Sequence, residues 1–413
     1  MKTTMTISSE NFKRAVKAAV SCCAKNGYVS ALWHVYMDIG RNGAFMATNL
    51  DQYVRCTFDA NAAGGEDTLG ICVDSDLVKK IVNTKGDKLT FTYDTEKERE
   101  VKLSNGKKII TLACYPVDNS AGSNDFNRES FSIPFEMDRE EIMKVDSEEL
   151  LTAVKNTAVF KSERDDKPIL KGFHFNGADN MIETVDGYHC VRKDWKSGTM
   201  NADYCETVGG CLENIKNVFS KSDSTIQVFG VEYKESKLKF DRYKYTMFSG
   251  IVDGMTIEYA VRNLQGEFMD IKKSYPASFS AVGTVKTGTL MELCKEYARF
   301  ISPKEVNPIV FSFDIHKVYA GLKTQSVSFC EPVDMMWEGT PLLAGYKNAY
   351  LMDALSVFDK NETIAIKANS NIQPILLENG EYHVLVLPVR LEEFTKEWFK
   401  RDIAALTGKK EAV

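Results

Sequence analysis

A chain of 413 residues, 44% hydrophobic and 27% charged, is long enough for two to four domains with their own cores and too apolar for global disorder. No apolar run approaches the roughly 18 residues of a membrane span, and MKTTMTISSENFKRAV lacks the apolar stretch of a signal peptide, so a cytoplasmic protein with no membrane partner is expected. The net charge of −6 speaks against a conventional nucleic-acid binder, and the ten cysteines (no C-x-x-C) and five histidines offer no metal-ligand spacing, so reduced core thiols, no metal and no cofactor are expected.

From the N-terminus, MTISSENFKRAVK (Met5 to Lys17) reads as a short strand, Ser9 as N-cap, and an amphipathic helix burying Phe12, Val16 and Ala19. SALWHVYMDI from Ser30 alternates like a strand, DLVKKIVNTK from Asp76 is a second helix, and KLTFTY from Lys88 is another strand. The series then restarts. MKVDSEELLTAVK (Met143 to Lys155) matches the first segment without a gap at an offset of 138, setting Ser9 on Ser147, Glu10 on Glu148 and Ala15-Val16-Lys17 on Ala153-Val154-Lys155. KPILKGFHFN, CLENIKNVFSK and TIQVFG follow as strand, helix and strand, with VDGYHC (Val185 to Cys190) between them as a turn at Asp186-Gly187 entering a strand. The third copy diverges further, yet LMELCKEYARF from Leu290 places Lys295 140 residues beyond Lys155, and NPIVFSFDI, YLMDALSVF and TIAIKA complete it. Leu32, Leu170 and Val310 recur at the same offsets of 138 and 140. Two features agreeing on one spacing mark a threefold repeat of α+β units, with boundaries near 140 and 277.

The last hairpin, ILLENGEYHVLVLPVRL (Ile375 to Leu391), has Asn379-Gly380 for a two-residue turn, and Pro388, which has no N–H to give, ends its second strand. Leu387, Val389 and Leu391 then form a packed strand end or the lip of a groove. Beyond the repeat, EEFTKEWFKRDIAALTGKKEAV puts Phe394, Trp398, Phe399, Ile403 and Leu406 at helical spacing. That helix either docks outside the third unit or folds back over the lip.

Catalytic motifs are lacking. GTVKTGT (Gly283 to Thr289) has no lysine after its second glycine, and G-x-S-x-G and H-E-x-x-H do not occur. Asp186, His189 and Cys190 are a poor nucleophile set, because adjacent strand residues point to opposite faces. No enzyme is expected. The six repeat helices together carry +6 and the remainder −12 of the total −6. Lys17, Lys155 and Lys295 share one repeat position, away from the apolar faces formed by Phe12, Val16 and Ala19 and by Leu151 and Val154. They read either as solvated helix faces or as one surface that meets a polyanion through sequence-independent phosphate contacts.

The threefold α+β repeat, VDGYHC in the second unit, FSGIVDGMTIEY (Phe248 to Tyr259) closing it and LPVRL finishing the third resemble, in order over residues 1–391, the bacterial DNA polymerase III beta subunit, the sliding clamp. The resemblance implies three clamp domains, 1–140, 141–276 and 277–391, and the helical spacing beyond them makes 392–413 a C-terminal helical extension. Sheets would lie outside and two helices per domain would face a central hole, in a head-to-tail homodimeric ring around duplex DNA. It implies DNA-facing positions at Lys13, Arg14, Lys17, Lys25, Lys79, Lys80, Lys155, Lys216, Lys221, Lys295 and Arg299. It also implies a groove on the third domain and the domain 2–3 junction for short linear motifs of the polymerase and the clamp loader. The wall of that groove would be Leu170, Val185, Gly187, Tyr188, His189, Ile257, Val261, Trp337, Asn369, Asn371, Leu387, Pro388, Val389, Arg390 and Leu391. Ile110 and Leu112 would meet Phe300 and Ile301 of a second copy at the ring seam. Three features depart from the family pattern: Tyr188-His189 in place of His-Arg, Thr256-Ile257 in place of a proline, and the 22-residue extension. The alternative is a repeat-built protein-interaction scaffold that does not encircle DNA.

Overall fold

A computed structural model describes residues 2–25, 29–40, 42–59, 69–97, 99–117, 127–221, 223–235, 238–302 and 307–408. Residues 409–413 of the C-terminal extension lie outside them. The fold is mixed α+β, and each repeat opens as its pattern predicts. Strand Lys2–Ser8 runs into helix α1 (Ser9–Cys22), followed by α2 (Ser75–Ile81) and the short α3 (Arg128–Ser132). Strand Arg139–Val145 runs into α4 (Ser147–Thr157), followed by α5 (Ile215–Val218). Strand Ala281–Lys286 runs into α6 (Thr287–Ala298), followed by α7 (Asn348–Ser356) and the terminal α8 (Glu393–Thr407).

Local chemistry shifts several expected boundaries. The caps fall one residue before Ser9 and Ser147: Ser8 Oγ accepts from Asn11 N at 3.2 Å, and Asp146 Oδ1 accepts from Glu148 N at 2.8 Å. Ser9 and Ser147 are the first helical residues and donate their hydroxyls to the carbonyls of Gly86 and Lys221. Leu32 and Leu170 lie in 3-10 turns, Ser30–Trp33 and Pro168–Lys171, ahead of their strands, whereas Val310 lies inside Ile309–Phe313. CLENIKNVFSK forms a 3-10 turn, Gly210–Asn214, and only one α-helical turn. Gly209 and Gly210 favour helix poorly, and the Asn214 amide is drawn to Ser21 O and Gln52 Oε1, both at 3.1 Å.

The chain forms two compact units. The first comprises Met1–Val154, Gly172–Asn180 and Trp195–Glu267. In it, Lys2–Ser8, Lys88–Asp94, Glu100–Ser104 and Ile109–Ala113 make a four-stranded antiparallel sheet with Ile109–Ala113 at an edge. A longer antiparallel sheet joins the first and middle thirds of the sequence where Gln52–Asp59 pairs with Met255–Leu264. The hairpin entering that pair turns at Asp253-Gly254, with φ of 49° and 75°, the conformation that Asp-Gly tolerates best. Helix α1 buries Phe12 between the sheets, 6.0 Å from the Phe45 ring and 5.6 Å from Phe91.

The second unit comprises Lys155–Lys171, Met181–Asp194 and Phe268–Val413. Here the middle third joins the last: His189–Asp194 pairs with Tyr382–Val386, which continues through Ile375–Glu378 and Thr363–Ala368 to Ala281–Lys286. A second sheet orders Ser328–Val333, Val318–Lys323, Ile309–Phe313 and Leu342–Tyr346. Helices α6 and α7 are tied by the Asn348 amide, which donates to Cys294 O at 3.0 Å, and they cover a core with Phe311, Phe313 and Trp337. No helix among the described residues is long and apolar enough to cross a membrane.

Candidate nucleic-acid face and peptide cavity

Helices α1 and α6 bury one stripe each, which leaves their lysines in solvent. Lys13 and Lys17 are exposed on α1, opposite Phe12, Ala15 and Val16. Lys25, Lys79, Lys80, Lys216 and Lys221 are exposed in the same unit. Lys79 Nζ lies 3.0 Å from Asp76, and Lys221 Nζ lies 3.3 Å from Glu148. Lys17, Lys25 and Lys79 converge on one cleft of about 710 Å³. Arg14 is half-buried, and its guanidinium is bound to Asp223, whose buried carboxylate also accepts from Ser220 N at 2.7 Å. It ties α1 to that loop. In the second unit, Lys155, Lys295 and Arg299 are exposed, the latter two opposite Leu290, Leu293, Cys294 and Tyr297.

Within the second unit the hairpin of Met181–Val185 and His189–Asp194 meets Tyr382–Val386 and the segment after Glu267 around a cavity of about 70 Å³. Val185, Gly187, Tyr188, His189 and Leu387, five of the residues named from the sequence for a groove wall, line it together with Cys190, Met269, Ile271, Ser274, Pro374 and Leu385. The sequence reading missed these six, although the apolar spacing of Phe268 and Ile271 beside a Pro-containing linker marked a packed segment. Tyr188 and Leu387 are exposed at the mouth, and Leu387 N donates to Tyr188 O at 3.0 Å. Leu170 is buried beside Val185 in the cluster beneath. The space suits one aliphatic side chain.

His189 supports this mouth from below. Its Nδ1 is 2.8 Å from Asp186 Oδ1 and its Nε2 is 3.3 Å from Asp353 Oδ2, and its ring lies 4.6 Å from Tyr350 and 4.7 Å from Phe160. Burial alone pushes the imidazole pKa down, but the two carboxylates outweigh it and hold the pKa above its ordinary value. Burial likewise pushes Asp186 up, and His189 with the N–H groups of His189 and Tyr188 brings it below the usual carboxylate range. Cys190 lies on the opposite face of the strand from His189, its Sγ 3.9 Å from Tyr275 OH, and burial pushes its thiol up to about 12. That thiol is a core group with no thiolate character.

The other expected wall residues lie elsewhere. Ile257 and Val261 are fully buried in the first unit, paired with Cys56 and Gln52, so they line no accessible wall. Trp337 is buried against Phe313 with Nε1 donating to Thr340 O at 3.1 Å. Asn369 binds the loop before Ala281, accepting from Ser280 N at 2.7 Å, and Asn371 is exposed on the loop before Pro374. Past Pro388, which does follow the strand end, Val389 N donates to Gly345 O at 2.7 Å, Arg390 is exposed, and Leu391 turns to the α8 side. The hairpin turn also differs. Gly380 alone has positive φ, 96°, and Asn379 Oδ1 instead accepts from Glu381 and Tyr382 N in a longer loop.

Of the seam positions, Leu112 is buried and Ile110 half-buried on the edge strand Ile109–Ala113, whose Ile109 is exposed. Phe300 is exposed and packs 4.8 Å from Phe329 on the edge strand Ser328–Val333, while Ile301 is half-buried. No group of three or more potential metal ligands occurs among the described residues.

No protein-family model and no curated protein matches the sequence. Solved structures do. The beta subunit of DNA polymerase from Streptococcus pyogenes superimposes with a TM-score of 0.78 at 16% identity, covering 94% of this chain and 100% of that one. The DNA polymerase sliding clamp of Bacillus subtilis gives 0.77 at 14% identity over 95% and 100% of the two chains. The DNA polymerase III beta subunit of Thermotoga maritima gives 0.74 at 18% identity over 94% and 100%. Nearly the whole chain therefore has the fold of the DNA polymerase III beta subunits, the sliding clamps.

Proposed function

We propose that this chain is a DNA sliding clamp, a processivity factor without catalytic activity of its own. Two copies close head to tail around duplex DNA, the thirds 1–140, 141–276 and 277–391 serve as its three domains, and a loader ATPase opens the ring. The observation that carries the reading is the threefold strand–helix unit with an exposed lysine at one repeat position, Lys17, Lys155 and Lys295, in a chain whose fold is that of the clamps over 94% of its length. A few cations on an otherwise acidic molecule give weak, sequence-independent phosphate contact. Enclosure supplies the retention that such contacts lack, while the protein stays free to slide. The cavity between Tyr188 and Leu387 takes the aliphatic anchor of a partner peptide from the polymerase or the loader, since burying one such side chain stabilises a complex by about 1.5–3 kcal/mol.

Edge strands offer open hydrogen-bonding groups. Ile109–Ala113 and Ser328–Val333 are both edges, and pairing them between copies forms the seam, with Phe300 beside it. Sedimentation and particle imaging test this: the protein forms a two-copy annulus, and Phe300→Asp, at an exposed position, gives folded monomers. Loaded on nicked circular DNA, the dimer is retained and is lost on linearisation. Retention that ignores DNA ends, or a Phe300→Asp protein that remains a dimer, contradicts the reading. The scaffold alternative shows no retention on either form of DNA.

A further inference from the structure

The cleft of about 710 Å³ in the first unit lies among α1, the turn Ser30–Trp33, α2 and α5, and its wall sets Trp33 beside Lys17, Lys25 and Lys79. Trp33 stands in it 38% exposed, whereas Trp195, Trp337 and Trp398 are 3–4% exposed. The 3-10 turn accounts for this: Ala31 is its buried side, so the indole two residues on faces the opening. Of the acidic groups in the wall, Asp74 is occupied capping α2, accepting from Asp76 N at 2.9 Å and Leu77 N at 3.1 Å, and Asp76 lies 3.0 Å from Lys79 Nζ. Lys17 and Lys25 are thus the cations offered to a ligand, and Trp33 offers the aromatic face.

A π-face flanked by cations fits a nucleobase with its phosphates. In duplex DNA the base faces are hidden by stacking and only their edges show in the grooves. We propose that this cleft holds an unpaired nucleotide of a DNA strand, its base stacked on Trp33 and its flanking phosphates beside Lys17 and Lys25. The site would read the single-stranded stretch next to a duplex end. The proposal rests on the reading of the α1 face as the side that meets DNA.

Trp33 is the one exposed tryptophan of the four in the sequence, so intrinsic fluorescence reports the site directly. Titrating the full chain with an oligothymidylate of about 12 nucleotides quenches the emission, and a blunt duplex of the same length does not. By anisotropy of the labelled strand, Trp33→Ala binds it at least tenfold more weakly, while duplex binding is unaltered. Lys17→Ala/Lys25→Ala weakens the single strand and flattens its salt dependence with the indole still in place. Quenching by duplex equal to that by the single strand, or Trp33→Ala affinity equal to wild type, overturns the proposal. Retention on nicked circular DNA separates the two readings. If Trp33→Ala is retained like wild type while strand binding is unchanged by the substitution, the cleft proposal alone fails. If wild type is not retained, the clamp reading fails, and the quenching result still decides the cleft.

Discussion

His189 has its two ring nitrogens against two carboxylates and its faces against Phe160 and Tyr350, so its charge is worth most when the pocket is folded. The charged and titratable groups around it come from each packed element: Asp186 and Tyr188 from its own hairpin, and Asp353 and Tyr350 from α7, with Lys347 Nζ 4.4 Å over the Tyr350 ring. The folded pKa of His189 is raised, so the stabilisation from its proton is complete below the unfolded value of about 6.5 and is lost as pH climbs through the folded value. Asp186 runs the other way: its pKa is lowered, so its contribution is present above the ordinary carboxylate value and disappears as pH falls through the folded one. Between those limits both partners are charged. His189→Gln keeps size and polarity but not charge, so wild type exceeds it in stability by about 1 kcal/mol near pH 6 and by less near pH 8.5. Urea midpoints at the two pH values measure this, and an equal difference at both shows an imidazole neutral throughout. The sequence placed His189 and Cys190 on opposite faces by strand alternation alone, but it held no sign of Asp353, which is 164 residues away.

Helix α8 shows how a sheet face is covered once the repeat has ended. In Ile309–Phe313, Ile309, Phe311 and Phe313 face the α6–α7 core, and Val310 faces the other way, where Trp398 and Phe399 bury it with Tyr319, Cys330 and Leu343. Gly321 leaves the space that the Phe399 ring fills. The helix was legible from Phe394, Trp398, Phe399 and Ile403 at helical spacing, but the same spacing fitted either a dock on the sheet or a cover for the lip. The structure has the dock: α8 lines no part of the Tyr188–Leu387 cavity, and Leu391, in the same cluster, anchors the far end of the lip. Deleting residues 392–413 therefore uncovers an apolar sheet face and lowers stability by about 3–6 kcal/mol, the burial of two aromatic side chains. Affinity of an aliphatic-anchored partner peptide stays the same or falls as Leu391 loosens. Urea unfolding and peptide anisotropy on the truncated chain test both statements, and a rise in peptide affinity would mean that α8 competes for the cavity.

At the scale of the whole molecule, periodicity revealed three strand–helix units because each must bury its own helix stripe, but it could not reveal which strands of different units pair. Gln52–Asp59 with Met255–Leu264, and His189–Asp194 with Tyr382–Val386, are long-range choices made by edge chemistry and register, and they draw Ile257 and Val261 into a sheet instead of a groove wall. The repeated lysine position was legible for the opposite reason: a helix that buries one stripe must expose another. Lys17, Lys155 and Lys295 are all exposed, so replacing the three with alanine leaves the unfolding midpoint nearly unchanged. If they meet phosphates, each lost contact reduces the slope of log affinity against log salt by about 0.9 on duplex DNA. Binding to a short duplex measured across a salt series should then give a line shallower by about 3 for each copy that contacts the duplex, converging on wild type at high salt. If the chain encloses DNA as proposed, the lifetime on nicked circular DNA should change far less, because such enclosure would not depend on charge. A slope unaltered by the three substitutions would make these lysines solvated helix faces, and any retention would then rest on the proposed ring alone.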